Sequence, residues 1–378
     1  MQPKTCAYFA TCSKGLELAL ASELLDPRIG AQDIQAGASG VNFRGDQGVG
    51  YRANLWLRSA VRVLAEHSRG RCPGSDPLYA WARTVDWCAL LRLEQTFSVE
   101  ARVWDSSVTH SKYAALRIKD ALCDVFREKT GARPNVQIEN ADLPLFLYLY
   151  RDEAILYRDL SGTTLHKRGY RDVLHKASLS ETVAAGLLLR AGYDGSQVLC
   201  DPMCGAGTFG IEAALRALNR APGLTRKRFP FECWPDFDVA LWKDCKDHAH
   251  AESRQKTQCP IFLNDQHVGA LSLARKDAER ASVEGLLQFS NVDISEFVPP
   301  QPPNLVVVNP PWGERMEETD LPGTWKKLGV FLKERCGGAT AWVLTGNPNL
   351  TSYLGLKSAL GYTVHIAKLK CRVFRYDL

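Results

Sequence analysis

Val198-Leu199-Cys200-Asp201-Pro202-Met203-Cys204-Gly205-Ala206-Gly207-Thr208 decides the fold. Its first three residues read as a short buried strand, and an amphipathic helical pattern follows from Phe209 to Leu218. Between them the glycines allow a tight turn and close approach to a ligand, with a helix N-terminus behind. Strand, glycine turn and helix in that order form one unit of a doubly wound, mostly parallel sheet. Further strands are expected at Ile261-Phe262-Leu263 and Asn304-Leu305-Val306-Val307-Val308, so the units repeat to the end of the chain.

Gly205 to Gly210 also spell G-x-G-x-x-G, which raises a nicotinamide or flavin dinucleotide. That fingerprint wants an acid about 20 residues further on, at the end of the next strand. Here that distance falls in Arg226-Lys227-Arg228-Phe229-Pro230-Phe231-Glu232, which is basic and broken by proline. The next strand ends instead in Asn264-Asp265, and a third, around Gln288-Phe289-Ser290, leads to Asp293. Asp201, Asp265 and Asp293 form an ordered set suited to a cationic amino-acid tail, a ribose diol and an adenine amine. S-adenosylmethionine carries these groups and no pyrophosphate. It is the expected cofactor, with Asp201 and the Gly205 and Gly207 backbone at the methionine end, Asp265 at the ribose and Asp293 at the adenine. Pro202, Cys204, Thr208, Gln266 and Asn309 complete the expected contacts.

Asn309-Pro310-Pro311-Trp312 follows the last of these strands. A polar residue at the carboxyl end of an apolar strand stands where open α/β sheets carry their chemistry. Two prolines remove backbone donors and stiffen the turn. The Asn309 side-chain oxygen and the Pro310 carbonyl remain as acceptors beside an aromatic ring. This is a seat for a planar group bearing NH2, such as the amino edge of a nucleobase. Asn309, Pro310 and Trp312 are therefore the candidate catalytic residues, with Trp312 stacking on the base.

With these motifs the chain resembles the THUMP-containing RNA guanine-N2-methyltransferases, and within them the bacterial 23S rRNA enzymes. The resemblance rests on Phe9-Ala10-Thr11-Cys12-Ser13-Lys14-Gly15-Leu16-Glu17, on Ala53-Asn54-Leu55-Trp56-Leu57-Arg58-Ser59-Ala60 and on Asp159-Leu160-Ser161-Gly162. It continues through Leu165-His166-Lys167-Arg168-Gly169-Tyr170-Arg171, the Asp201–Thr208 loop and Asn309-Pro310-Pro311-Trp312-Gly313-Glu314-Arg315. It implies a Rossmann-like class I methyltransferase domain at 179–378. Before it would come a ferredoxin-like region at 1–60, a THUMP RNA-binding domain at 61–165 and a basic linker at 166–178. The implied reaction is methylation of guanine N2 in RNA, 23S rRNA before tRNA. The family most often has Tyr where Trp312 stands and Ile-Asp-Pro where Gln266-His267-Val268 stands. No 7-methylguanosine activity is expected of a chain ending at Leu378. A DNA adenine-N6-methyltransferase and a catalytically silent RNA-binding assembly factor are the rival readings.

Composition fits this. The 378 residues, 45% hydrophobic and 24% charged, suggest two or three globular domains. No apolar run approaches the length of a membrane span, and no targeting segment is evident, so the cytoplasm is expected, or an organelle if a leader has been removed. Twelve scattered cysteines without a C-x-x-C pair read as reduced thiols, and no metal is expected. The net charge of +5 is modest, but its clusters suggest RNA contact. Lys167, Arg168 and Arg171 are candidates, with His175 and Lys176 beside them, as are Lys112, Arg117 and Lys119 on an expected helix from Lys112 to Lys129. Arg226–Arg228 and Lys368, Lys370, Arg372 and Arg375 form further clusters. Glu314 and Arg315 are read as structural. The first 165 residues alternate strands (near 8–11, 61–66, 97–103, 145–150 and 154–157) with helices, including one from Gly15 to Leu25. A helix is expected from Leu179 to Ala191. Asn219 to Pro260 reads as an insertion with one helix near Val239 to Ser253.

Overall fold

A computed structural model describes residues 5–171, 179–313 and 320–378. In the N-terminal region, strands β1 (Cys6–Thr11), β2 (Gln32–Gly37), β3 (Gly40–Gly45), β4 (Arg62–Arg71), β5 (Thr96–Trp104), β6 (Asn135–Val136), β7 (Leu143–Tyr150) and β8 (Glu153–Asp159) share one sheet. Its order is β2-β3-β1-β4-β8-β7-β5-β6. From Leu145 on β7 alternates: Leu145, Leu147 and Leu149 are buried, while Phe146, Tyr148 and Tyr150 are half-buried. The helix Ser111–Thr130 buries Ala114, Ile118, Ala121, Leu122, Val125 and Phe126, and ends on Gly131 at φ +76°.

The C-terminal sheet contains β9 (Leu199–Asp201), β10 (Ile261–Asn264), β11 (Leu287–Ser290), β12 (Leu305–Val308), β13 (Thr340–Thr345), β14 (Leu360–Ile366) and β15 (Leu369–Asp377). Its order is β11-β10-β9-β12-β13-β15-β14, parallel except for the closing β14–β15 hairpin, which is antiparallel to β13. From β9 the chain steps outward to β10 and β11, then returns to place β12 on the other side of β9. That reversal is the switch point at which such sheets bind ligands, beyond the strands' carboxyl ends. The Asp201–Gly207 turn and the Asn309–Trp312 turn flank it.

Two elements lay outside the sequence reading. The helix Gln47–Trp56 carries Gly48 and Gly50, poor helix formers, yet eight of its ten residues are buried. Packing overrides propensity there: a Cβ on Gly50 would stand 2.9 Å from both Leu160 Cδ2 and Tyr8 Cε1. The second is what the 219–260 insertion does. Its 3-10 turn Pro230–Cys233 and helix Val239–Ala251 carry an aromatic cluster onto the N-terminal region. Phe231 stacks on Tyr51 at 4.5 Å between centroids, and Trp242 meets both edge-on at 5.1 and 5.6 Å. Around this core Trp234 Nε1 donates to Asp142 O (2.8 Å), Gln95 Nε2 to Cys233 O (2.7 Å), and Arg158 pairs with Asp236 (2.9 Å). The insertion is a clamp between the two halves.

Candidate active site

Three parallel strands deliver the acids. Asp201 ends β9, is 1% exposed, and accepts only one hydrogen bond from the described residues, a long one of 3.3 Å from Met203 N. Burial, reinforced by the charge of Asp265, raises its carboxyl pKa well above the usual carboxylate range. Asp265, just past β10, accepts from Gly205 N (2.8 Å) and His267 N (2.9 Å) and so ties the glycine turn to its neighbour strand. Asn264, which the sequence places at the strand end without a role, is 1% exposed and pins three strand ends together. Its amide donates to Pro202 O and Val292 O (both 3.1 Å), and its oxygen accepts from Val292 N (3.3 Å). A lone Asn beside an Asp carries no pattern that would assign it this role.

The three glycines of the fingerprint have steric explanations of their own. Gly205 takes φ +53° beside the cavity, and a Cβ there would meet nothing within 4 Å. Gly207, at φ +71°, lets the helix Thr208–Ala217 start 2.9 Å (for an added Cβ) from Ala274 of the helix Val268–Arg280. A Cβ on Gly210 would press to 2.6 Å from Leu263 of β10.

Asp293 departs from expectation. Its Oδ1 accepts from Ser295 N (2.9 Å) and Ser295 Oγ (2.5 Å), and its Oδ2 accepts from Lys327 (2.9 Å). Those bonds, the Ser295 hydroxyl first, hold its pKa down to about 2. It lines the cavity, but as a capped and paired carboxylate.

On the other side of the switch point, Trp312 Nε1 donates to Asn309 Oδ1 (3.2 Å) and buried Trp325 Nε1 donates to Pro311 O (2.8 Å). Two indoles thus fix the proline turn, and Asn309 Oδ1 keeps a second lone pair. Trp312 is half-buried and lies against the backbone of Gly346, just after β13. A Cβ at Gly346 would stand 2.5 Å from Cε3 and 2.9 Å from Cη2 of the ring.

These turns surround one cavity of about 900 Å³. Asp201, Pro202, Cys204, Gly205, Thr208, Asp265, Gln266, Asp293, Asn309, Pro310 and Trp312 all line it, with Ile366, Leu369 and Lys327 on further walls. Of the expected cofactor set only Gly207 stays outside the lining, acting through the helix start. A cofactor with a cationic tail fits this chemistry: Asp201 is a buried carboxylate with no cation beside it among the described residues. Among the described lining residues Asp265, Asp293 and Asp320 add negative charge and Lys327 is the single lysine, which disfavours a pyrophosphate.

Residues 168–374, more than half of the chain, match the model of the RMKL-like methyltransferase domain. The chain belongs to this family. In this RMKL-like methyltransferase the THUMP domain model matches 75–159 and the RlmL ferredoxin-like domain model matches 7–64. It is 34% identical over 375 residues to slr0064 of Synechocystis sp., a candidate RNA methyltransferase, covering 99% of this chain and 97% of that protein. It is 37% identical to the ribosomal RNA large subunit methyltransferase K/L of Syntrophotalea carbinolica, covering 98% of this chain. The chain spans 53% of the length of that relative. Among solved structures, SMU.472, a candidate methyltransferase crystallised with SAH, superposes with a TM-score of 0.88 at 25% identity, covering 100% of this chain and 99% of that one.

Most basic residues proposed for RNA are otherwise engaged. Arg168 is 4% exposed. It donates to Leu165 O (2.7 Å) and Arg58 O and pairs with Glu212 at 3.5 Å. Arg171 donates to Leu179 O (2.9 Å) and to Thr208 Oγ1, and pairs with Glu181 (3.2 Å) and Asp277 (3.5 Å). Both were read as RNA-facing, and both point inward because helices opposite offer buried acids. Arg226 donates to Ser161 O (2.9 Å) and Thr163 O (2.6 Å), and Arg228 pairs with Asp142 (2.6 Å). Arg117 lies 4.5 Å over Tyr79 and pairs with Asp76 (3.3 Å), while Lys119 pairs with Asp120 (2.6 Å). Lys112 and Lys167 are exposed. His175, Lys176, Glu314 and Arg315 lie outside the described residues. No disulfide joins any of the twelve cysteines, and the described residues include no metal-holding cluster. No described helix is long and apolar enough to cross a membrane.

Proposed function

We propose that this chain methylates the exocyclic N2 amine of a guanosine in RNA, with S-adenosylmethionine as donor and 23S rRNA as the first candidate substrate. The observation that carries this reading is the pairing, across one switch point, of an acidic cavity with two fixed acceptors beside an indole. A relative named for large-subunit rRNA and an N-terminal THUMP match support RNA over DNA.

Asp201 and the Gly205 backbone would hold the methionine end and Asp265 the ribose hydroxyls. When bound, S-adenosylmethionine supplies an electrophilic methyl group on its sulfonium. The guanine amine is a weak nucleophile, because its lone pair is delocalised into the ring. Asn309 Oδ1 and Pro310 O each accept one N–H, which favours pyramidal nitrogen and frees the lone pair. Trp312 stacks on the base once it has left its helix, contributing on the order of 1–3 kcal/mol. The proton lost from nitrogen needs no strong base, since the amine becomes acidic only as it is alkylated. Positioning and preset dipoles then supply most of the rate. Twelve cysteines without a disulfide suit a reducing compartment, and the cytoplasm is the setting we favour.

The test is transfer of tritiated methyl to deproteinised 23S rRNA, bulk tRNA and plasmid DNA, followed by nucleoside mass spectrometry. N2-methylguanosine in rRNA is the expected product. Label in DNA adenine, or SAH binding without transfer to any substrate, would overturn the reading.

A further inference from the structure

The Phe9–Glu17 motif has no part in the cavity, yet its position in the fold is specific. Gly15, at φ +98°, lies so tightly on β14 that a Cβ would overlap the Thr363 carbonyl oxygen and stand 3.0 Å from Val364 Cα. Next to it, His365 N donates to Lys14 O at 2.8 Å. The N-terminal region therefore seats its Ser13–Gly15 turn on the free edge of the catalytic sheet. The strand it touches runs straight to the cavity. Ile366 ends β14, Leu369 starts β15, they pair across the hairpin, and both line the cavity.

Between and beside these two apolar residues stand cations. Lys368 sits in the hairpin turn after Ala367, which takes φ +53°. Lys370 is cross-strand partner of His365, the residue bonded to Lys14. Lys14, Lys368 and Lys370 are all exposed, and none has an acidic partner among the described residues. The nearby acid that opens the following helix, Glu17, accepts from Gly15 N (2.8 Å) and Ser39 N (3.0 Å). Elsewhere on the molecule the basic clusters are largely spent on carboxylates and carbonyls. Here Lys368 and Lys370 stand at the hairpin whose Ile366 and Leu369 line the cavity, and Lys14 meets the same strand through its carbonyl.

We propose that the β14–β15 hairpin tip, with Lys14 delivered from the N-terminal region, grips the RNA backbone flanking the extruded nucleotide. Lys14, Lys368 and Lys370 bind phosphates, while Ile366 and Leu369 border the base. The inference rests on the function proposed above and adds where the substrate strand enters. Phosphate contacts of this kind position a strand without reading its sequence.

The test compares wild type with the triple variant Lys14→Gln/Lys368→Gln/Lys370→Gln, using deproteinised 23S rRNA and a salt series in a binding assay. Each lost phosphate contact lowers the slope of log K against log salt by about 0.7–0.9, so the triple variant should lose about 2 to 3 in slope. SAH affinity and melting temperature should match wild type. Lys112→Gln/Lys119→Gln, on the N-terminal helix, serves as comparison and should change the slope less. Wild-type slope and affinity in the triple variant, with wild type methylating RNA, would overturn the hairpin proposal and leave the function standing. If wild type neither binds nor methylates rRNA or tRNA, both fall together.

Discussion

Gly346→Ala tests whether Trp312 is held where the chemistry needs it. Gly346 does not have positive φ, so its backbone accepts alanine. The methyl group, however, would stand 2.5 Å from Trp312 Cε3, against 3.4 Å for ordinary contact, so the ring has to retreat by roughly 1 Å. Its 3.2 Å bond to Asn309 would then stretch past any useful length. A displacement of about 1 Å at a reacting group can cost on the order of 100-fold in rate, or about 2.7 kcal/mol of barrier. Overpacking alone would cost about 1–3 kcal/mol of stability, which a thermal melt reads separately. The expected result is a kcat lowered about 100-fold with SAH affinity nearly unchanged. Trp312→Phe shortens the ring and removes the crowding, so the double variant should be no slower than Trp312→Phe alone. A Gly346→Ala enzyme turning over within twofold of wild type would refute the argument.

Other outcomes follow from the same geometry. Asn309→Ala should lower kcat by at least about 100-fold while calorimetry finds SAH binding intact, as expected for a group acting on the transition state. Asp201→Asn should raise the melting temperature of the ligand-free protein at pH 7 and weaken SAH. The folded carboxyl keeps its proton above the unfolded value of 3.8, so its stabilising contribution is complete below that pH and is lost as pH climbs through the raised folded value. A variant melting below wild type at pH 7 would contradict this. Arg171→Met should raise the KM for S-adenosylmethionine more than it changes RNA affinity, because Arg171 bonds Thr208 beside the glycine turn; the reverse pattern would return it to the RNA surface. Phe231→Ala should cost about 3–5 kcal/mol in urea denaturation and expose the 219–260 clamp to protease.

The parts of this molecule that follow local rules were visible in the sequence. Apolar strands ending in Asp201, Asp265 and Asn309 announce themselves by hydrophobic run and terminal polar residue, and their order along the chain predicted one shared crevice. What was hidden depends on a partner distant in sequence. Asn264 matters because Pro202 and Val292 come to it, and Gly346 because Trp312 lies on it. Arg168 and Arg171 displayed charge but not their acids: Glu212 and Glu181 stand within helical patterns that read as ordinary amphipathic surface. Asp293 stands two residues before Ser295, whose N–H and hydroxyl it accepts, and that local cap carries no hydrophobic pattern to announce it. The insertion's Phe231, Trp234 and Trp242 stand in the sequence without any sign that Tyr51 receives Phe231 and Trp242.

The clamp made by Phe231, Trp234 and Trp242 has a consequence for choosing a target. These rings, with the Arg158–Asp236 pair, tie the N-terminal region to the insertion of the C-terminal region. On the proposed function, an RNA held by the N-terminal region would present to the cavity the nucleotide lying at the span this clamp sets, and folded distance along the RNA would then weigh in the choice of guanosine.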